Sequence, residues 1–200
     1  MFRPRLIPVL LIDDGILVKT KKFKSGVYIG DPINAVKIFN DLRADELIFL
    51  DISTSKNKKT IPLDLIETVG EESNMPFSVG GGIRTIEDIK KIINSGAERV
   101  VLSSVACENP KFIKEASDYF GSSTIAVCLD IKKDFFGNYS IYYKNGKLKL
   151  NSPYLDFITK LEALGAGEIV IQSISNDGMM LGYDLNLLNK ISSILSIPLV

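Results

Sequence analysis

The later part of the chain repeats the earlier part, which constrains the fold more than any other sequence feature. The segment LIPVLLIDD at 6–14 aligns without a gap with IAVCLDIKK at 125–133. Farther along, ADELIFLDIS at 44–53 resembles AGEIVIQSIS at 166–175. Each copy begins with an apolar run, so the repeat predicts a duplicated array of βα units.

Short apolar runs rich in Val, Ile and Leu alternate with amphipathic stretches along the chain. Runs of this kind are typical of strands buried on both faces of a parallel sheet. We predict strands at 5–12, 46–52, 77–80, 99–104, 124–131 and 168–174, and helices near 31–43, 61–73, 85–95, 109–120, 153–164 and 184–196. Strictly repeating βα units favour a (β/α)8 TIM barrel over an open doubly wound sheet.

The predicted barrel is incomplete. Six complete βα units precede IPLV at 197–200, which resembles the start of a seventh strand. A barrel of this type needs roughly 250 residues, so we expect 1–200 to be a single truncated barrel domain. The alternative is a naturally short barrel that a partner completes. The segment 134–150 alternates around Asn145-Gly146 and predicts an inserted β-hairpin.

The composition narrows the function classes. Lys plus Arg and Asp plus Glu both total 24, which gives no electrostatic footprint for nucleic acid. No apolar run approaches the roughly 18 residues of a membrane span, and the N-terminus lacks a signal-peptide cleavage site. Two cysteines fit a reducing cytosol, and the lack of histidine excludes His-based triads and His-ligated metals. We therefore expect a cytoplasmic protein, without cofactor or metal.

A glycine triplet ends the third predicted strand, in SVGGGIRTIED at 78–88. A helix opens at Thr85, with Asp88 in the position that completes a capping box. Glycines allow close approach of a ligand to the backbone, and a helix N-terminus attracts anions. Gly80–Gly82 therefore indicate a phosphate cradle, with a plain tight turn as the alternative.

Two serines strengthen the phosphate interpretation. Ser103 and Ser104 are predicted to end the next strand, beside Gly82 in a barrel. Their hydroxyl groups could donate hydrogen bonds to the same phosphate.

Two further segments follow predicted strands. The loop predicted at 19–31 carries four lysines and is either a mobile basic lid over an anionic substrate or a solvated charge run. These lysines are Lys19, Lys21, Lys22 and Lys24. The sequence at 176–178, Asn-Asp-Gly, indicates an ordinary turn on the carboxyl rim of the strands, where barrel active sites lie.

Carboxylates at strand ends are candidates for acid–base chemistry. Asp130 and Asp51 each end an apolar strand. In the repeat, Asp130 aligns with Leu11, so one member of a possible acid–base pair is missing. Asp13 shares the facing of Leu11 but lies one step farther out, which makes it a poor geometric substitute.

Charged residues also precede four of the predicted strands. These residues are Arg5, Glu46, Arg99 and Glu168. Each alone is typical of a solvated charge at the start of a strand. Together they could form a ring of two cations and two anions across the floor of the barrel.

The whole chain resembles the cyclase subunit of imidazole glycerol phosphate synthase. The matching motifs are ADELIFLDIS, VGGGIRT, ENP at 108–110, FGS at 120–122, GAGEI at 165–169 and DGMMLGYD at 177–184. The resemblance implies a (β/α)8 barrel that docks on a glutaminase subunit at its amino-terminal face. It also implies that ammonia passes a charged gate and the barrel interior to reach a phosphorylated substrate.

The resemblance assigns roles to individual residues. It implies an ammonia gate of Arg5, Glu46, Arg99 and Glu168, with arginine at 99 where lysine is usual. It implies one phosphate site at Gly82, Ser103 and Ser104, a second that includes Asp177 and Gly178, and a lid lysine at Lys19. The second catalytic aspartate falls on Asp130 and the first on Leu11. Loss of one acid–base partner commonly costs about 10²–10⁴ in rate, so cyclisation should be severely impaired.

Residues 16–40 resemble a variant branch of this family from surface-polysaccharide pathways, in which ammonia goes to a sugar amidotransferase. The resemblance therefore implies a barrel subunit of a glutamine amidotransferase complex in nucleotide-sugar modification. One alternative is a working cyclase, a lyase of histidine biosynthesis, in which Asp13 or Asp14 replaces the missing group. Another is a non-catalytic scaffold that activates the glutaminase.

Overall fold

The computed structural model describes residues 4–54 and 60–200, which form an α/β fold of alternating strands and helices. Within these ranges the strands are β1 (Val9–Asp13), β2 (Ile16–Lys21), β3 (Lys24–Gly30), β4 (Leu47–Asp51), β5 (Phe77–Gly80), β6 (Arg99–Leu102), β7 (Ile125–Lys133), β8 (Tyr139–Tyr143), β9 (Leu148–Lys149) and β10 (Glu168–Ser173). The helices are α1 (Pro32–Asp41), α2 (Leu63–Glu72), α3 (Ile86–Asn94), α4 (Ser104–Glu108), α5 (Lys111–Phe120), α6 (Tyr154–Ala163) and α7 (Leu185–Ser192). The predicted βα alternation is confirmed.

The chain divides into two compact units. The first contains Met1–Lys19 and Val27–Val101, and the second contains Thr20–Gly26 and Leu102–Val200. In the first unit β1, β4, β5 and β6 are parallel neighbours, in that order. In the second unit β10 is parallel to β7, and Leu199 forms a parallel bridge with Ile169 of β10.

The parallel strands bury apolar side chains on both of their faces, as is usual for a parallel sheet that helices cover. In the first unit Phe49 of β4 and Phe77 of β5 are buried and meet edge to face, with ring centroids 6.3 Å apart. In the second unit every residue of β7 up to Ile131 is buried, and Ile158 of α6 is fully buried. The apolar runs in the sequence are therefore the cores of the two units.

Helix starts follow the predicted capping chemistry in part. Asp31 caps α1 through its side chain, with Pro32 at the first helical position. Thr85 and Asp88 form the predicted capping box at α3. In the sequence Asn109 and Ser152 each precede a proline, a pattern that predicts a cap at both residues. This prediction is wrong, because Pro110 and Pro153 themselves occupy the N-cap positions. Asn109 instead ends the short helix α4.

The prediction of a loop at 19–31 is wrong, because most of this segment is strand. It forms the end of β2 and all of β3, joined by a two-residue turn. Lys22 and Phe23 both have positive φ, 52° and 60°, so non-glycine residues adopt the left-handed conformation that a hairpin turn needs. The preceding turn, between β1 and β2, has the more recognisable Asp14-Gly15 pair.

A second hairpin follows β7. Strand β8 is antiparallel to β7 and then to β9, and the turn between β8 and β9 contains Asn145 and Gly146 at positive φ. No helix among the described residues is long and apolar enough to cross a bilayer.

Candidate functional site

Three of the four predicted gate residues form one ion-paired cluster in the first unit. The Glu46 carboxylate accepts a hydrogen bond from Arg5 Nη1 at 2.5 Å through Oε1 and from Arg99 Nη1 at 3.0 Å through Oε2. Glu46 directly precedes β4, and Arg99 begins β6. Because these strands are parallel, the cluster lies at their amino ends, opposite to the carboxyl ends where barrel active sites lie.

Burial makes the central carboxylate of this cluster dependent on its partners. Glu46 is 8% exposed, whereas the two arginine side chains are about a third exposed. A buried carboxylate without cations would carry a large desolvation cost. The fourth predicted gate residue, Glu168, begins β10 in the second unit and is also buried.

Asp130 is a buried carboxyl group of the second unit. It lies in β7 in register with Gln172 of β10 and Tyr142 of β8, and it is 6% exposed. Burial disfavours its ionised form and raises its pKa to about 7. A carboxyl group that titrates near neutral pH can both accept and return a proton.

Two buried thiols are electrostatically linked to Asp130. Burial raises the pKa of Cys107 to about 12, and the charges of Asp130 and Glu108 add to the effect. Burial, again with Asp130, also raises the pKa of Cys128 well above its ordinary value. Both thiols therefore stay protonated at neutral pH, which is unsuitable for a cysteine nucleophile.

Position 11 carries no titratable group. Leu11 lies in β1, in register with Leu50 of β4 and Val18 of β2, and it is half-buried. Asp13 follows on the same side of β1, as the alternation of strand side chains requires.

Asp51, the other carboxylate at a strand end, has a local structural role. It accepts hydrogen bonds from Ser53 N, Ser53 Oγ and Thr54 N. Asp51 therefore stabilises the turn after β4.

The glycine triplet has a packing role in the strands, apart from any contact with a ligand. A methyl group at Gly80 would lie 2.7 Å from Leu50 Cδ2, and one at Gly81 would lie 2.8 Å from the Asp51 carbonyl oxygen. Gly80 and Gly81 thus allow β5 to approach its neighbours. Gly82 has a φ of 69° and precedes α3, where the Asp88 carboxylate already accepts from the Thr85 amide.

The two serines follow the observed strand β6, whereas the sequence predicts that they end it. Strand β6 ends at Leu102, Ser103 is the N-cap of α4 and Ser104 is its first residue. The prediction that the strand extends to 104 is therefore wrong, because the Ser103 carbonyl already accepts the amide of Ala106 in a helical turn. Ser104 Oγ accepts a hydrogen bond from Lys144 N at 3.1 Å.

The turn at 176–178 has a structural partner that the sequence does not reveal. Asp177 Oδ2 accepts hydrogen bonds from Thr20 Oγ1 at 2.7 Å and from Phe23 N at 2.9 Å. The Asp177 carbonyl accepts a hydrogen bond from the amide of Lys22 at 3.0 Å.

Lys19, the predicted lid lysine, is exposed on β2 in the first unit. Among the described residues no group of three or more His, Cys, Asp or Glu could hold a metal.

Comparison with known proteins gives one consistent family. Residues 5–200 match the family described as histidine biosynthesis protein. A provisionally named imidazole glycerol phosphate synthase subunit hisF3 from Vibrio vulnificus is 46% identical over the whole chain, which covers 77% of that relative. A provisionally named imidazole glycerol phosphate synthase subunit HisF from Leptospira borgpetersenii is 44% identical, with 100% of this chain and 79% of the relative covered. The imidazole glycerol phosphate synthase subunit HisF of Staphylococcus saprophyticus is 40% identical, with 100% and 80% covered.

Proposed function

Because the chain belongs to the histidine biosynthesis protein family, we propose that it is the cyclase-type subunit of an imidazole glycerol phosphate synthase. In this proposal the subunit receives ammonia from a glutaminase and joins it to a phosphate-bearing substrate. The names of the relatives favour this histidine-pathway alternative over the polysaccharide role expected from residues 16–40. The observation that carries the proposal is the buried Asp130 carboxyl group with a pKa of about 7.

Asp130 supplies the acid–base group of the proposed reaction. A ring closure with loss of a group needs protons moved between nitrogen, oxygen and carbon atoms of the substrate. General acid–base catalysis is most efficient when the pKa of the catalytic group lies near the working pH. An exposed aspartate would be almost fully ionised at neutral pH, whereas Asp130 is available in both forms.

The ion-paired cluster of Arg5, Glu46 and Arg99 supports a role for the amino ends of the strands in ammonia passage. One carboxylate holds two guanidinium groups, and both of its oxygens are used. Ammonia is small and uncharged, and in this proposal it passes when one guanidinium group is displaced. We propose that Glu168 completes this gate and that the glutaminase docks on the same end.

Four of the proposed phosphate contacts follow the carboxyl end of a strand: Gly82 after β5, Ser103 and Ser104 after β6, and Gly178 after β10. The fifth, Lys19, lies on β2. Hydroxyl groups, backbone amides and lysine ammonium groups are the usual donors to phosphate oxygens. Of these residues, Ser104 uses its Oγ as an acceptor toward Lys144 N, which leaves its own O–H group to donate to a phosphate.

A second candidate function is an ammonia-delivering subunit that does not itself cyclise, working with a sugar amidotransferase in surface-polysaccharide modification. Leu11 favours this candidate, because an aliphatic side chain at that position cannot exchange a proton. The third possibility, a scaffold that only activates the glutaminase, needs no intact gate.

The proposal is tested with the whole protein and its glutaminase, by following conversion of the histidine-pathway intermediate with glutamine or with ammonium. Cyclised product that depends on Asp130 supports the cyclase. D118N is the matched control, because Asp118 is an exposed aspartate paired locally with Lys114. Ammonia transfer without cyclised product would contradict the cyclase and favour the second candidate. Glutaminase activation that is indifferent to E46Q, with no product, would favour the scaffold.

A further inference from the structure

We propose that Asp177 is a positioning residue that clasps the lysine-bearing hairpin tip, Thr20–Gly26, to the loop after β10. The expectation from family resemblance was a direct phosphate contact at Asp177. The structure points instead to an action through the hairpin. The part of this inference that concerns substrate rests on the proposed function, whereas the clasp itself does not.

The clasp consists of three hydrogen bonds within the second unit. The carboxylate oxygen Oδ2 of Asp177 accepts from the Thr20 hydroxyl at 2.7 Å and from the Phe23 amide at 2.9 Å. The main-chain carbonyl accepts from the Lys22 amide at 3.0 Å. Thr20 is only 5% exposed, so water competes poorly for its bond. Hydrogen bonds to a charged acceptor are also stronger than neutral ones.

Gly178 provides a second, independent sign that the two segments are built to meet. A methyl group at Gly178 would lie 2.2 Å from the Thr20 carbonyl oxygen and 3.0 Å from Lys21 Cγ. The hairpin backbone therefore occupies the space that any side chain at 178 would need. Gly182, a few residues later, has nearly the same φ, +73° against +65°, but a methyl group there would meet no described atom within 4 Å.

The turn between β8 and β9 bounds the hairpin tip on another side. A methyl group at Gly146 would lie 3.4 Å from Phe23 Cδ2 and 3.2 Å from Ile174 Cδ1. The same turn is tied to α4, because Lys144 Nζ pairs with Glu108 Oε1 at 2.6 Å. The tip thus lies among loops of the second unit, with the Asp177 carboxylate as its charged anchor.

The clasp has a consequence for anion binding. The tip carries the exposed lysines Lys21, Lys22 and Lys24. A carboxylate that already accepts two hydrogen bonds from the tip is a poor direct contact for a phosphate, since like charges repel. Its contribution is to fix where the tip lies, and thereby where its cations can meet a phosphate.

Amide hydrogen exchange of the whole protein without substrate tests the clasp directly. D177N and T20V should each speed exchange of the amides in 20–26 by about tenfold or more, because a bond to a charged group protects them in the folded state. D134N is the matched control, because Asp134 likewise accepts one backbone and one side-chain donor, both from Asn138 at the other hairpin tip. Unchanged exchange at 20–26 in both D177N and T20V would overturn the proposal.

The two glycine variants separate contact with the hairpin from backbone strain. G178A should speed exchange at 20–26 as D177N does, whereas G182A should not. Equal effects of the two variants would mean that strain in the loop, and not the approach of the hairpin, sets the exchange rate, which would contradict the clasp.

Binding of inorganic phosphate distinguishes the positioning role from a direct contact. Under the proposal T20V weakens phosphate binding about as much as D177N, and the double variant is no weaker than either. Wild-type affinity in T20V together with weakened binding in D177N would overturn the positioning role in favour of direct contact. Failure of the wild type to bind phosphate would count against the proposed function, while the exchange result would still decide the clasp.

Discussion

Glu46 and Arg99 lie 3.0 Å apart at the amino ends of strands of the first unit, and Arg5 bonds to the other oxygen of the same carboxylate. The carboxylate is therefore the common element of the cluster. Removal of either arginine leaves the carboxylate bonded to the other, whereas loss of the negative charge removes the acceptor that both arginines share. Glu46 is for this reason the most informative position in the proposed gate.

We predict that E46Q destabilises the protein by about 1–3 kcal/mol, the usual cost of losing a partly buried charged hydrogen bond. The second expected effect is functional. If the cluster is the proposed gate, conversion driven by glutamine should fall relative to conversion driven by added ammonium, because the amide of E46Q no longer holds both guanidinium groups through a shared negative charge. The free energy of unfolding and the ratio of the two rates are the measurements.

E72Q is the control for the gate variant, because Glu72 forms an ion pair with Lys37 at 3.8 Å on the exposed surface. Exposed pairs of this kind contribute about 0–1 kcal/mol. A gate variant that behaves like E72Q in both stability and rate ratio would show that the cluster neither stabilises the protein nor controls the passage of ammonia.

The pKa of Asp130 predicts a pH-dependent stability. Its folded-state pKa is raised from 3.8 to about 7, so between these values the folded protein binds a proton that the unfolded chain has released. This proton stabilises the fold at low pH, and the contribution is lost as pH rises toward 7. The difference corresponds to roughly 4 kcal/mol at most.

D130N should remove this dependence. We expect the variant to be more stable than wild type at pH 8 by up to a few kcal/mol and nearly equal to it at pH 4, since the neutral amide resembles the protonated acid. Denaturant unfolding at the two pH values measures the difference. Equal stability of the two proteins at both pH values would mean that Asp130 is solvated and that its pKa is ordinary.

The two thiols should be almost inert in the folded protein. Burial and the nearby carboxylates raise the pKa of Cys107 to about 12, and burial raises that of Cys128 as well. The reactive thiolate is therefore scarce at pH 8. A disulfide reagent should modify neither cysteine faster than the protein unfolds. Rapid modification of Cys107 under native conditions would contradict the burial.

Position 11 offers a gain-of-function prediction that follows from the family resemblance. If Leu11 replaces the first catalytic aspartate, L11D should raise cyclisation turnover by about 10²-fold, the lower part of the range for an acid–base group. L11N is the control, because asparagine has nearly the same shape as the aspartate of L11D but carries no charge. An increase confined to L11D supports a missing proton-transfer partner. Equal or lower turnover in L11D would show that this chain does not need a carboxylate at 11.

The alternation of strands and helices could be predicted from the sequence, because most residues of the apolar runs are buried in strands. Strands β4, β5, β7 and β10 begin and end within two residues of their predicted bounds. The β2–β3 hairpin was missed because Lys22 and Phe23, rather than a glycine, adopt the left-handed turn. Asp14-Gly15 was the signal that could have revealed the preceding turn.

Candidate residues at strand ends could be located because their position follows from the strand. Glu46 and Asp130 are examples of this kind. The partnership of Asp177 with Thr20 could not be predicted, since the two residues are 157 positions apart and no local pattern links them. The role of Asp51 in the turn after β4 could have been predicted from the sequence, because an aspartate followed two residues later by serine is typical of an Asx turn.

The role of Asp130 is tested most directly by the pH dependence of kcat/KM for the phosphorylated substrate, measured with the whole protein, its glutaminase and saturating glutamine. We predict an inflection near pH 7 that belongs to Asp130. In D130N we predict a loss of the inflection together with a fall of about 10²–10⁴ in rate. A D130N variant that retains the wild-type rate and inflection would contradict the assignment of Asp130 as the acid–base group.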